Sequence, residues 1–185
     1  MECDKMGIEG KIVEDIVKRF GDKVRAEVQR ERRVKFYTDP INIKPLLYYL
    51  KEKGFIHLSS ISCVDWIKEN QFELVYHLWS YEDKVHLMVK TRISRENPEM
   101  ETMIPVFPVA ETYEREIYEM FGVNFPDNPN LKPLFLEDWD GPPPMRKDFD
   151  TRVYVREKYG MIDLTEILRQ GMDKIKGVRD EDEIL

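Results

Sequence analysis

The residues of this chain whose types could do chemistry are concentrated in the stretch YEREIYEMFG, residues 113–122. Glu114 and Glu116 flank Arg115 there, and a pair of carboxylates can serve as general acid and general base. Each helical residue turns by about 100°, so the two glutamates would point about 160° apart on a helix. They could not face one substrate, and the pattern therefore favours a structural or docking role over catalysis.

No other combination of residue types in the sequence indicates an active site. There is no Ser/His/Asp or Cys/His arrangement and no glycine-rich phosphate loop. The cysteines and histidines are scattered, at Cys3, Cys63, His57, His77 and His86. Iron–sulfur clusters and structural zinc usually take four ligands, largely cysteines. We therefore expect no catalytic residue, no metal and no cofactor in this chain.

Composition narrows the choice of partners. The net charge is −7, so the overall field of the protein repels nucleic acid and anionic membrane. No run approaches the ~18 apolar residues of a spanning helix, and the first residues lack the apolar core of a signal peptide. A charged fraction of 35% is typical of thermophiles. We expect a soluble protein that could still associate with a membrane complex.

The pattern of apolar residues predicts an α+β fold, with packed helices on a mainly antiparallel sheet. Apolar residues four apart predict a helix over residues 8–20, and Asp39-Pro40 begins a second helix. The alternating stretch 24–38 is either one long strand or a hairpin turning near residues 30–32. Three more strands lie in FIHLSSISCVDW, FELVYHLWS and KVHLMVKTRI, and their short connections favour antiparallel pairing.

A further helix is predicted over residues 109–121, with one apolar side that would face the core. Glu111, Arg115 and Glu119 run down the opposite side at four-residue intervals. We expect these three charges to pair with each other, at roughly 0.2–0.5 kcal/mol per pair.

Glu114 and Glu116 lie at the two edges of the apolar side of this helix. A carboxylate in that position needs a partner, because an unpaired buried charge costs several kcal/mol. Arg146 could supply it, since a guanidinium can hold a carboxylate through two parallel hydrogen bonds. We predict that the chain folds back so that Arg146 reaches Glu116 or Glu114.

Residues 123–160 combine six prolines with many large apolar side chains. The prolines exclude long regular elements, and the apolar side chains are too many for a solvated linker. We therefore predict an α+β domain over residues 1–122. An extended partner-docking strap and a short terminal helix, begun by the capping sequence Asp163–Glu166, would follow over residues 123–185.

Five segments of the sequence, taken in order, resemble the 30 kDa subunit family of respiratory complex I. They are Val64–Trp66, Tyr76–Leu78, Tyr113–Gly122, Leu136–Trp139 and Arg146–Asp148. The same family supplies a subunit to group 4 membrane-bound nickel–iron hydrogenases and their relatives.

The sequence departs from the respiratory members of this family at three points. Thr112 stands where tryptophan is common, and Asp127-Asn128 stands where Gly-His precedes proline. Residues 141–148 read GPPPMRKD where Gly-His-Pro-Leu-Arg-Lys-Asp is usual. Both histidines of the respiratory pattern are missing. This difference favours a ferredoxin-linked complex, either a membrane-bound hydrogenase or a sulfur- or sulfane-reducing relative.

The resemblance implies a non-catalytic subunit in the peripheral arm of such a complex, on the cytoplasmic side of the cell membrane. The implied partners are a hydrogenase-large-subunit-like (49 kDa-type) subunit and a small subunit that carries a [4Fe–4S] cluster. The membrane would be reached only through the complex. We expect an interface above about 2,000 Å², formed by Glu114, Arg115, Glu116, Tyr118, Phe125, Phe135, Trp139, Arg146, Lys147 and Asp148.

Three other functions stay open at this point. The chain could be the C subunit of an NADH or other donor:quinone oxidoreductase. It could be a free-standing adaptor, or a free-standing enzyme that uses the carboxylates of the 113–122 helix.

Overall fold

The structure is a computed structural model that describes residues 7–160 together with Leu168. Four α-helices and five β-strands follow one another in the described ranges. They are α1 (Ile8–Phe20), β1 (Val24–Arg30), β2 (Arg33–Thr38), α2 (Pro40–Glu52), β3 (His57–Trp66), β4 (Gln71–Ser80), β5 (Val85–Ser94), α3 (Ala110–Phe121) and α4 (Thr151–Tyr159).

The five strands form one sheet in the order β1-β2-β5-β4-β3. Three of the four neighbouring pairs are antiparallel, and only β2 and β5 run parallel. The predicted α+β fold with a mainly antiparallel sheet is confirmed, and the stretch 24–38 is a hairpin. The elements α2, β3 and β4 lie between β2 and β5 in the chain. This long connection lets β5 lie beside β2 and run in the same direction.

Side chains alternate between the two faces of a strand, and here the two faces differ. The helices α1, α2 and α3 pack on one face, called the inner face, where Phe36, Phe72 and Tyr76 are fully buried in the core. Fully burying one large apolar side chain contributes roughly 1.5–3 kcal/mol. The opposite face, called the outer face, carries mostly polar and charged side chains.

The helix α2 shows how the sequence sets this packing. Pro40 begins it, at a position whose N–H would have no partner inside the helix. Its apolar residues recur three or four positions apart and therefore share one side. Those fully buried are Ile43, Leu46, Leu47 and Leu50.

Residues 123–147, hereafter called the strap, belong to the first of two compact units, Met1–Lys147. The strap is joined to the segment after β5: the Met100 N–H donates to the Asn124 carbonyl at 3.0 Å, and the Asn124 N–H donates to the Pro98 carbonyl at 2.8 Å. Val123 and Phe125 are fully buried in the core. Because of these contacts the compact units divide after Lys147 and not at the predicted boundary after Gly122.

The second compact unit is Asp148–Leu185, and the described part of it contains α4. The Asp150 side chain caps this helix, accepting hydrogen bonds from the N–H groups of Arg152 at 2.8 Å and Val153 at 3.2 Å. The sequence patterns predict no helix at these residues. The terminal helix predicted after Asp163 falls outside the described residues.

Candidate docking site formed by helix α3 and the strap

The helix α3 is fixed in the core through its apolar side. Ala110 and Ile117 are buried there, and the Tyr113 hydroxyl donates to the Ser59 carbonyl of β3 at 2.8 Å. The helix ends at Gly122, whose φ of 74° lies in the left-handed region that glycine adopts most easily. The charges of the helix are therefore held at defined positions relative to the sheet.

Glu114 is fully buried and its carboxylate is bound by neutral donors. Its Oε2 accepts from the Thr102 hydroxyl at 2.7 Å and from Asn128 Nδ2 at 2.9 Å, and its Oε1 accepts from the Met103 N–H at 2.7 Å. Burial raises the pKa of Glu114, while these hydrogen bonds oppose the rise. Glu114 thus joins the strap to the segment before α3.

Glu116 is exposed, so the two glutamates of the 113–122 motif do not meet. The carboxylate pair that a free-standing enzyme would need is not formed by these residues. Burial also raises the pKa of the Cys63 thiol to about 12, which keeps this cysteine protonated and unreactive.

The charges on the polar side of α3 bind the strap and not each other, which corrects the predicted self-paired ladder. Asn130 Nδ2 donates to Glu111 Oε1 at 2.8 Å. Arg115 donates from Nε and Nη2 to the carbonyls of Lys132 and Pro133, at 3.1 and 2.9 Å. The physical reason is that the irregular strap has backbone groups without partners in a helix or sheet, and these need donors and acceptors.

Glu119 makes the densest of these contacts. Its carboxylate accepts hydrogen bonds from three successive backbone N–H groups, those of Leu134 and Phe135 on Oε2 at 3.1 and 3.0 Å and that of Leu136 on Oε1 at 2.7 Å. Glu119 is almost fully buried as a result. Sequence reasoning missed this role, because periodicity places Glu119 on the side expected to face water.

Arg146 caps the end of α3, and the prediction that it pairs with Glu116 or Glu114 is wrong. Its Nε donates to the Phe121 carbonyl at 2.7 Å, and its guanidinium carbon lies 5.3 Å from the centre of the Phe72 ring. The last carbonyls of a helix have no partner within it and carry partial negative charge. This position therefore suits a cation, whereas both glutamates are already satisfied by neutral donors or by water.

The last residue of the strap is held by Asp65, at the end of β3. Both oxygens of this carboxylate accept from Arg95, Oδ1 from Nε at 3.0 Å and Oδ2 from Nη2 at 3.2 Å. Oδ2 also accepts from the Lys147 N–H at 2.9 Å. The Asp65 side chain is buried. It links two of the sequence motifs, Val64–Trp66 and Arg146–Asp148, within the chain.

The predicted interface residues therefore separate into three groups. Phe125 is fully buried in the core, so its side chain cannot touch a partner, while Glu114, Arg115 and Arg146 hold the strap. Asp148 belongs to the second unit. Of the predicted interface residues on α3 and the strap, Glu116, Tyr118, Phe135 and Lys147 are exposed, and Trp139 is half-exposed.

The described residues form neither a metal centre nor a membrane span. No group of three or more His, Cys, Asp or Glu side chains in the ranges 7–160 is arranged to hold a metal ion. No helix in the same part of the chain is long and apolar enough to cross a membrane.

Known proteins that are similar to this chain fall in one family. The family described as "Respiratory-chain NADH dehydrogenase, 30 Kd subunit" matches residues 36–155. The C subunit of the F420H2 dehydrogenase of Methanosarcina mazei is 39% identical over 142 residues, which are 75% of this chain and 90% of the relative. The C subunit of the NADH-quinone oxidoreductase of Moorella thermoacetica is 37% identical over 105 residues, 56% of this chain and 71% of the relative.

Solved structures agree with this grouping. A chain of the membrane-bound sulfane sulfur reductase, an archaeal respiratory membrane complex, is 40% identical, with a TM-score of 0.77 over 83% of this chain and 92% of that chain. A trypsin-resistant fragment of Nqo5, 22% identical, shares the fold, with a TM-score of 0.57 over 67% of this chain and all of the fragment. The resemblance carried by the sequence motifs is thereby confirmed, and the chain belongs to the 30 kDa subunit family of the respiratory-chain NADH dehydrogenase.

Proposed function

We propose that this chain is a non-catalytic assembly subunit of a membrane-bound electron-transfer complex related to respiratory complex I. In that complex it holds together a hydrogenase-large-subunit-like subunit and a small subunit that carries a [4Fe–4S] cluster. It lies on the cytoplasmic side of the membrane and contributes no cofactor of its own. The observation that carries this proposal is the 40% identity to a chain of the sulfane sulfur reductase over most of both chains.

The structure of the strap supports a docking role. The strap is irregular, yet its backbone is fixed by Glu119, Arg115 and Asp65. Such a segment presents side chains in a constant arrangement, which lowers the entropic cost of binding. Phe135 is 61% exposed on it, and exposed aromatic side chains of this kind often anchor protein interfaces.

Five side chains are proposed to face the partner subunits. They are Glu116, Tyr118, Phe135, Trp139 and Lys147. The residues that hold the strap contribute indirectly, because they keep these side chains in place.

The test is to identify what the chain binds in its own cells. The chain is tagged in its natural host, the membranes are solubilised, and the tagged complex is analysed by mass spectrometry and for iron content. We expect a hydrogenase-large-subunit-like protein and a small iron–sulfur protein in equal amounts with the chain. Recovery of the chain alone, colourless and without these two proteins, would contradict the proposal.

Two kinds of complex are consistent with the similar proteins, and they differ in their electron acceptors. The likeness to a sulfane sulfur reductase chain favours a complex that reduces sulfane sulfur, and we propose that ferredoxin is its electron donor. The 37% identity to the C subunit of an NADH-quinone oxidoreductase favours a donor:quinone type of complex instead. We favour the first. Reduced ferredoxin should then drive polysulfide reduction or hydrogen release by the purified complex, without added quinone.

A further inference from the structure

The outer face of the sheet is cationic in an otherwise acidic chain. The strand register places six cations on it: Arg25, Arg30, Arg33, Lys35, Lys90 and Arg92. Two carboxylates of the strands share this face, so the formal charge of its strand residues is six minus two, or +4. The whole chain carries −7, so the remainder carries −11. A surface of opposite sign to the rest of the protein is a feature of electrostatically steered binding sites.

The two carboxylates of the outer face are already engaged. Glu27 pairs with Lys35 at 3.0 Å, and Glu73 pairs with Lys90 at 2.8 Å and with Arg92 at 3.7 Å. In the described part of the chain, no carboxylate forms an ion pair with the other three arginines of this face. Asp22 and Asp39 border the cavity that contains Arg25, Lys90 and Arg92. The strand residues of the face nevertheless keep an excess of positive charge.

Apolar side chains lie beside these cations, on β3, β4 and β5. Val64 and Trp66 are each 37% exposed, whereas Val75 and Met88 are buried on the outer face without belonging to the core cluster. The core cluster takes most of its strand residues from the inner face, so helices α1 to α3 do not cover this apolar strip. The outer face thus presents a group of cations and, on β3, two partly exposed apolar side chains.

A chain of hydrogen bonds holds the middle of this face rigid across four strands. Arg33 Nε–H donates to His86 Nδ1 at 3.2 Å, so the proton of neutral His86 lies on Nε2. That Nε2–H donates to His77 Nδ1 at 3.2 Å, and His77 Nε2–H points to the Ser62 hydroxyl at 3.4 Å. The two imidazole rings are nearly parallel, with their centres 5.3 Å apart. A surface fixed in this way is already organised for binding.

We propose that the outer face is a second docking surface and that it receives an acidic segment of another polypeptide. Carboxylates of that segment bind Arg25, Arg30 and Arg33, and its apolar residues cover Val64 and Trp66. The surface is distinct from that of α3, which packs on the inner face, and it does not depend on the identity of the complex proposed above.

The test uses the tagged chain isolated from its own cells with the proteins that it binds. A carbodiimide reagent joins an amine to a carboxylate that is in direct contact with it. The links formed by Lys35 and Lys90 therefore identify which carboxylates lie against the outer face. We expect mass spectrometry to find one of these lysines joined to an Asp or Glu of another polypeptide. Links from these lysines only to Glu27 and Glu73, their neighbours in the sheet, would overturn the proposal.

A matched pair of double variants tests the role of charge. Arg25→Gln with Arg30→Gln removes two cations from β1, and Lys11→Gln with Lys18→Gln removes two exposed cations from α1. We expect the first variant to lower the yield of the intermolecular link roughly tenfold, equivalent to about 1.4 kcal/mol. The second should leave the yield unchanged. Equal yields in both variants would overturn the proposal.

Other occupants would appear as different results of the same experiment. A link from Lys35 or Lys90 to residues 180–183 of the same chain would assign the face to its own acidic terminal residues. A link to a second copy, recognised by isotopic labelling of half the chains, would assign it to self-association. Loss of the bound material on nuclease treatment would assign it to nucleic acid. Each of these results contradicts the proposal and leaves the proposed function untouched.

Discussion

The carboxylate of Asp65 accepts a hydrogen bond from the backbone N–H of Lys147, although the two residues lie 82 positions apart in the chain. The same carboxylate also accepts hydrogen bonds from Nε and Nη2 of Arg95. One buried acid therefore joins the end of β3, the segment after β5 and the last residue of the strap. Substitution of Asp65 or of Arg95 should therefore weaken the attachment of the strap to β3.

Replacing Asp65 should destabilise the protein and free the end of the strap. Asp65→Asn removes the charge that Arg95 needs in a site where the Arg95 side chain is only 12% exposed. Removing one partner of a buried ion pair costs about 3–5 kcal/mol. We expect a loss of that size in the free energy of unfolding from urea titration, together with faster hydrogen exchange at the Lys147 amide. Asp127→Asn, at an exposed position, should stay within about 0.5 kcal/mol of the wild type.

Two glutamates of α3 should respond differently to the same change. In Glu119→Gln the new amide group cannot accept all the hydrogen bonds from Leu134, Phe135 and Leu136, so a buried N–H loses its partner. We expect a cost of about 1–3 kcal/mol and faster hydrogen exchange at these three amides. Glu116→Gln alters an exposed carboxylate on the same helix and should be nearly neutral. Equal effects of the two variants would argue against the contact between Glu119 and the strap.

Any side chain at position 122 should destabilise the folded protein. A Cβ there would lie 2.9 Å from Arg146 Nη2 and 3.0 Å from Pro143 Cγ, at a residue whose φ is 74°. Gly160→Ala provides the matched control, because its φ is 62° and no atom lies within 4 Å of its Cβ position. The control should show only the backbone cost, about 1–2 kcal/mol. Gly122→Ala should lower the free energy of unfolding by more than that, because Arg146 would also lose its hydrogen bond to the Phe121 carbonyl. Thermal unfolding measures both variants.

His86 should make the stability of the protein sensitive to acid. Burial, followed by repulsion from His77, Arg33 and Arg30, lowers the pKa of His86 from 6.5 to about 4. The unfolded chain therefore binds a proton more readily than the folded chain does. The stabilisation is fully present above pH 6.5 and is lost as the pH falls from 6.5 to about 4. Urea titrations across this range should show a decline that is shallower in His86→Gln; parallel curves would contradict the assignment.

Phe135 should matter for assembly and not for folding. Phe135→Ser removes an exposed aromatic ring from the strap, so urea titration should find the free energy of unfolding within about 0.5 kcal/mol of the wild type. Co-purification of the iron–sulfur partner should fall sharply, since aromatic anchors dominate interface energies. Ile41→Ser removes an even more exposed side chain, 81% accessible, from α2 and should leave co-purification unchanged. Normal assembly of the Phe135 variant would count against the strap as a docking element.

The fold was predictable from the sequence to a large extent because its signals are local. Alternation and four-residue periodicity identify strands and helices, and short connections identify antiparallel neighbours. The parallel pairing of β2 with β5 gives no such signal, since its partners are far apart in the chain. The sequence patterns do not predict the helix α4, because the irregular proline-rich stretch is expected to continue to residue 160. Asp150, just before Thr151, is nevertheless a capping signal for a helix.

The candidate site was only partly predictable from the sequence. The helical projection locates the charges of α3 correctly but cannot show whether Glu119 meets water or another segment of the same chain. Phe125 is predicted to be an interface anchor because it is an aromatic residue of the strap, yet its side chain is buried in the core. Such outcomes depend on contacts between distant segments, which periodicity does not report.

The parallel pairing of β2 and β5 also constrains the order of folding. The hairpin β1–β2 and the three strands β3 to β5 can each form through short connections, whereas Arg33 and His86 meet across 53 positions. Closing such a long loop loses much chain entropy before any contact compensates for it. The docking of β2 against β5 should therefore limit the folding rate, and a nascent chain must expose all five strands before its sheet can close.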